Sequence, residues 1–183
     1  MKVFAFLLSA FSVLALDMEI GVDSGVMGPV SSGDNALYDP GIFIEPGLSL
    51  GFDGYYRLNL SYSHLFPNGG EQFDDIPVSC DLFSNYRSSS HAVKVGISRD
   101  LGFMAVEAGA GYRTFETKRE LLGIWGADCP PQLSVRRTGS TFFVDLSRAV
   151  GDNINVSAGL ESHDMSRYWV SVGMGFELGL GGE

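Results

Sequence analysis

The stretch Tyr168 to Leu180, YWVSVGMGFELGL, constrains this chain more than any other. Every second residue from Tyr168 is apolar or aromatic: Val170, Val172, Met174, Phe176, Leu178 and Leu180. The alternate set is Trp169, Ser171, Gly173, Gly175, Glu177 and Gly179, mostly small or polar. A period of two belongs to a strand, not a helix. Its thirteen residues exceed the usual length of about five or six. They suffice for a tilted strand crossing a bilayer, which needs about 9–11. Large residues facing one way and glycines the other suit a strand whose outer solvent is lipid and whose inner face is crowded and polar.

The same pattern recurs along the chain. Strand one is expected from Leu16 to Val22, with Asp17, Glu19, Gly21 and Asp23 alternating against apolar residues. A Gly/Ser/Pro-rich segment follows, from Met27 to Pro40. Strand two is expected from Gly41 to Phe52, where Pro46 removes a ladder donor and predicts a bulge. Asp53-Gly54 is a hairpin signal leading to strand three, Tyr55 to Leu65. After a long polar connection, strand four spans His91 to Arg99. Strand five spans Phe103 to Phe115, and a second long connection leads to strand six, Ser140 to Val150. Strand seven spans Ile154 to Glu161, and Tyr168 to Leu180 is the eighth. Long connections follow strands one, three and five, and tight turns follow strands two, four and six. An antiparallel meander puts the long loops at one end and the tight turns at the other. The expected fold is all-β: an eight-stranded antiparallel up-and-down transmembrane β-barrel whose closure leaves no edge.

The N-terminus reads MKVFAFLLSAFSVLA: one lysine, an apolar run, and small residues at a peptidase site. Residues 1–15 are expected to be a cleaved signal peptide, and 16–183 the barrel. Glycine is frequent, 24 of 183 residues, and a crowded lumen accounts for glycines inside strands. The formal charge of −10 drops to −11 without Lys2, which speaks against nucleic acid as a partner. Cys80 and Cys129 fall in two long connections at one barrel end, and an oxidising compartment predicts a disulfide between them.

Facing inward on this reading are Glu19, Glu45, Arg57, Lys94, Glu107, Arg113, Asp145, Glu161 and Glu177. An eight-stranded interior is just wide enough to be filled by side chains. Buried charges persist when paired, so a plugged lumen of ion pairs is expected. The competing reading is a narrow gated pore. Phe52, Tyr55, Tyr56, Tyr62, Tyr112, Tyr168 and Trp169 lie near strand ends and fit interfacial girdles where they face outward. Asp74-Asp75, with Glu71 and Asp81 near, lacks the spacing of a calcium loop and reads as a solvated acidic loop. No metal or cofactor is expected.

With its strand number, leader and loop asymmetry, the chain resembles small outer-membrane barrels of the OmpA-transmembrane-domain and OmpX/Ail type. The resemblance spans the whole mature chain and rests on pattern. It implies an outer-membrane location, lipid and lipopolysaccharide as surroundings, and a monomer. It also implies action through surface loops: adhesion, binding of a surface protein or host ligand, or envelope integrity. Such barrels usually end on an aromatic residue. This chain ends Leu180-Gly181-Gly182-Glu183, so either Phe176 or Leu180 carries that signal ahead of a short tail or the assembly route differs.

Some barrels of this size are lipid A deacylases or palmitoyl transferases. The corresponding candidates here are Glu161, His163 and Ser166, with His64 at the same end. The deacylase His-x-Ser pairing is missing, because Asp164 and Met165 separate His163 from Ser166. The expectation is therefore a non-enzymatic barrel, with a lipid A-modifying enzyme or a narrow pore as the alternative. A soluble barrel holding an apolar ligand is a further alternative, and it requires the large alternating residues to face inward.

Overall fold

The structure is a computed structural model, and it describes residues 17–30, 40–52, 54–67, 84–121, 132–165 and 167–180. The expected leader, Cys80, Cys129, Ser166, the Glu71–Asp81 acidic segment and Gly181–Glu183 lie outside those residues.

Eight strands form one closed barrel in chain order. They are β1 (Asp17–Pro29), β2 (Gly41–Gly51), β3 (Tyr56–Pro67), β4 (Ser84–Asp100), β5 (Ala105–Leu121), β6 (Gln132–Ala149), β7 (Ile154–His163) and β8 (Arg167–Gly179). Every pairing is antiparallel and joins sequence neighbours, except the seam where β1 meets β8. The up-and-down barrel read from the sequence is borne out. At the seam Gly25 faces Gly173. A Cβ on Gly25 would strike the Val172 carbonyl and Gly173 itself, so only glycine lets the two strands meet there.

The faces are also as read from the alternation. Val170, Val172, Met174, Phe176 and Leu178 of β8 point outward and are exposed, with Val172 at 66%. Ile20, Val22, Val26, Ile42, Ile44, Leu60, Val93, Val95, Ile97, Val144, Leu146 and Leu160 continue this apolar band around the barrel. In water so broad an apolar surface would drive association, whereas in a bilayer it is the favoured outer face. The soluble-barrel alternative, with its large residues inside, is thereby overturned.

Aromatic residues border the band at both ends. Tyr62, Tyr112 and Tyr168 are exposed toward the loop end, and Phe52, Tyr55, Tyr56 and Phe103 toward the turn end. Trp169 departs from this girdle. It points into the lumen at 4% exposure, one residue out of step with outward Tyr168.

The turns follow their residues. Gly54 (φ 78°) and Gly102 (φ 85°) occupy left-handed backbone in the hairpins after β2 and β4. Asp100 Oδ1 accepts from the Gly102 amide at 2.6 Å. The β7–β8 connection is tighter than its sequence suggests. Asp164 (φ 51°) and Met165 (φ 54°) are both left-handed, and the Asp164 amide donates to the Ser140 carbonyl at 2.9 Å.

Two expectations need correcting. Pro46 makes no bulge. The β2–β3 pairing runs through Ile44↔His64 to Gly47↔Ser61 in one unchanged register, with a gap in the ladder where proline lacks its amide hydrogen. Strands β1, β4, β5 and β6 are also longer than the apolar alternation predicts. Arg87↔Lys118 and Glu116↔Arg136 are paired within β4, β5 and β6, well past the last lipid-facing residues. These extensions form a three-stranded sheet rising above the barrel. Water on its outer side removes the demand for an apolar face, so the alternation ends although the ladder continues.

Candidate functional site

The interior has three levels, built from residues that alternate with the apolar band. At the loop end lies an apolar layer of Met27, Phe43, Leu65, Phe115 and Trp169, all buried. The Phe115 ring is stacked on Trp169 at 5.6 Å and meets the His163 ring edge-on at 5.2 Å.

Beneath it is the ion-pair layer. Arg113, 1% exposed, donates to both Glu161 oxygens: through Nε to Oε1, and through Nη2 to Oε2 at 2.8 Å. Thr141 Oγ1 donates to Glu161 Oε1 at 2.8 Å, and Arg113 Nη1 donates to Ser90 Oγ at 3.2 Å. Lys94 Nζ lies 2.7 Å from Glu45 Oε2 and 3.7 Å from Glu161 Oε2. It also sits over the Phe143 ring, 4.9 Å from the centroid. The fork geometry of Arg113 matches a carboxylate, so each buried charge has a partner that offsets its desolvation.

The third level is a cavity of about 570 Å³. It runs from the tight-turn end, lined by Gly102, Phe103 and Met104, up to Met27 and Phe43. Its wall carries six carboxylates, Glu19, Asp23, Glu45, Glu107, Asp145 and Glu177, against Arg57 and Lys94, with Asp100 and Arg148 at the mouth. Arg57 pairs with Glu19 and lies 3.8 Å from Asp17. Asn59 Nδ2 donates to Glu107 at 2.6 Å, Ser61 Oγ to Glu45 at 2.6 Å, and Asn155 Nδ2 to Glu177 at 2.9 Å. The inward glycines leave room for these acids. A Cβ at Gly159 would collide with the Asp145 carboxylate, one at Gly96 with Glu107, and one at Gly175 with Asp23 and Asn155.

All nine charged lumen candidates are inward and line the ion-pair layer or the cavity. Sequence reasoning placed Asp23 on the inward face but left it out of the charged set, because strand one was ended at Val22. The same early end puts Met27 in the connection that follows, whereas it is a buried residue of β1. Extending the β1 alternation past Val22 would have found both.

The alternative catalytic group of Glu161, His163 and Ser166 is not assembled among the described residues. Glu161 is held by Arg113, Lys94 and Thr141. His163 is buried in the lumen with its Nδ1 unpartnered, and its Nε2 lies 3.4 Å from Asp164. His64 is on the outer face of β3. No group of three or more His, Cys, Asp or Glu gathers around a common point among the described residues, and no described helix is long and apolar enough to cross a membrane.

The raised sheet is chemically different. Arg87, Lys118 and Arg136 are exposed on its outer face, and Arg87 stands directly opposite Lys118. Lys118 Nζ lies 3.3 Å from Glu116, and Arg136 is opposite Glu116. The chain as a whole is strongly acidic, with 22 Asp and Glu against 12 Lys and Arg, so this is a local reversal of charge.

A closed eight-stranded meander with an apolar outer band and a polar interior defines the class: a small transmembrane β-barrel of the outer-membrane type. Among solved structures, the chain is similar to Ail, the attachment invasion locus protein of Yersinia pestis, with a TM-score of 0.57 at 11% identity over 89% of this chain and 97% of that one. The structure of Ail in complex with the heparin analogue sucrose octasulfate gives a TM-score of 0.58 at 12% identity over the same shares of the two chains. A major outer membrane protein from Thermus thermophilus gives 0.53 at 9% identity, covering 90% of this chain and 100% of that one. At such identities the shared property is the fold. The sequence matches no family model and no curated protein.

Proposed function

We propose that this protein is a non-enzymatic, monomeric outer-membrane barrel that binds an anionic partner at the cell surface through the raised sheet of β4, β5 and β6. Lipid and lipopolysaccharide surround its apolar band. One observation carries the reading: Arg87 opposite Lys118, with Arg136 on the same face of the sheet. Like charges directly opposite each other are destabilising in a sheet, and an anionic ligand relieves that cost. The bound sucrose octasulfate of Ail belongs to a barrel of the same fold and supports a sulfated glycan as the ligand class.

The lumen is closed on its loop side and open as a cavity below. The apolar layer and the Arg113–Glu161 pair lie across the path between cavity and loop end. Protein in nanodiscs should bind heparin, weaken steeply with added salt, and lose binding in an Arg87→Ala/Lys118→Ala variant that keeps its heat-modifiable gel shift. Absence of heparin binding at low salt would overturn the surface reading. Sustained conductance in planar bilayers would return the narrow pore. A changed lipid A profile on expression would return the enzyme.

A further inference from the structure

The chain has three histidines. His163 is buried in the lumen. His64 and His91 stand directly opposite each other across β3 and β4, on the outer face of the barrel. Their Nδ1 atoms are 2.8 Å apart and their ring centroids 4.4 Å. Tyr62, two residues before His64 on the same face, places its hydroxyl oxygen 2.6 Å from the same His91 nitrogen. Phe66 packs on the other side of His64, with ring centroids 4.0 Å apart.

This convergence crowds two polar partners onto one ring nitrogen. A neutral imidazole has one N–H and one lone pair, each on a different nitrogen. His91 Nδ1 can therefore present one hydrogen or one lone pair, yet two polar atoms approach it. If His64 Nδ1–H donates to it, the Tyr62 hydroxyl competes for the same lone pair. If His91 Nδ1–H donates to His64, the same hydrogen is shared with Tyr62.

We propose that Tyr62, His64 and His91 form a binding site for a divalent transition-metal ion at the loop-side border of the apolar band. A cation between the two rings uses both lone pairs at once and removes the competition. Metal–nitrogen bonds of about 2.0–2.1 Å in tetrahedral geometry place two nitrogens about 3.3 Å apart. A small opening of two side chains from their 2.8 Å separation reaches that distance. The Tyr62 oxygen then supplies a third ligand or holds a metal-bound water, and water fills the remaining position. Imidazole ligands select zinc, copper or nickel, whereas magnesium and calcium require oxygen sets. The site faces away from the lumen, and its ligands are distinct from the basic residues of the raised sheet, although His91 shares β4 with Arg87 four residues away.

The test uses untagged protein folded in detergent micelles and titrated with zinc chloride alone. Calorimetry should find one high-affinity equivalent per chain. Removing a direct ligand should cost at least the about 10–100-fold that loss of an outer-shell partner costs at a metal site. His64→Gln and His91→Gln should each show that loss, and Tyr62→Phe a smaller one. With copper(II) in place of zinc, electron paramagnetic resonance should show two coordinating imidazole nitrogens in the native protein and one in each histidine variant. The gel shift on boiling confirms that each variant is folded. Absence of binding at millimolar zinc, or equal binding by the native chain and both histidine variants, overturns the proposal; the latter would assign the metal to the lumen carboxylates.

Discussion

The barrel wall and the raised sheet are parts of the same strands, yet they are held by different forces. In the wall every residue has a fixed direction. Val172 must meet lipid, and Gly173, its neighbour, must leave room for Phe43 and Ser157. In the raised sheet Thr117 is buried while Glu116 and Lys118 meet water, and Thr114 pairs with Thr138 through hydroxyls 2.9 Å apart. The backbone ladder is continuous across both regions, and only the solvent on the outer face changes. Strand formation thus needs the ladder alone, whereas sequence alternation records which solvent lies outside.

The comparison can be broken most forcefully at the ion-pair layer. Arg113→Leu leaves Glu161 charged and without its main partner, and should cost about 3–5 kcal/mol in urea unfolding from lipid vesicles. No measurable loss would mean that the lumen is wetter than the geometry shows. Next in size is Val172→Arg, which puts a cation in the apolar band and should cost about 2–4 kcal/mol. Ser134→Glu, which puts a charge opposite Lys118 on the raised sheet, should not lower the unfolding midpoint, and equal losses at the two sites would erase the distinction between the regions. Gly159→Ala pushes a methyl against Asp145 and should cost about 1–3 kcal/mol, seen as a lower urea midpoint. Smallest is Arg87→Ala/Lys118→Ala, where stability should stay within about 0.5 kcal/mol per residue while salt-sensitive heparin binding falls. A stability loss as large as that of Arg113→Leu would make the basic pair structural.

Much of the wall was legible in the sequence, because lipid outside and crowding inside force a period of two. That period located all eight strands, their faces and the inward charges. It misread what lies beyond the bilayer. The extensions of β4–β6 hold mixed residues such as Arg87, Ser88 and Ser89 that resemble a loop, and only partner strands reveal the ladder. Trp169 has the residue type of a girdle, but its parity with Ser171 and Gly173 places it inside, and there it is buried. The particular partnerships, Arg113 with Glu161 and Lys94 with Glu45, depend on register between strands distant in sequence, which no local pattern encodes.

The seam between β1 and β8 has a kinetic consequence. All other pairings join consecutive strands and can form as short hairpins, but Gly25 cannot meet Gly173 until the last strand is present. Until then the growing sheet carries two open edges, each able to pair with another chain. The loop that must close spans almost the whole barrel, so this step is the slowest to be found by search. Whatever shields those edges during transit therefore governs yield more than the stability of the finished barrel does.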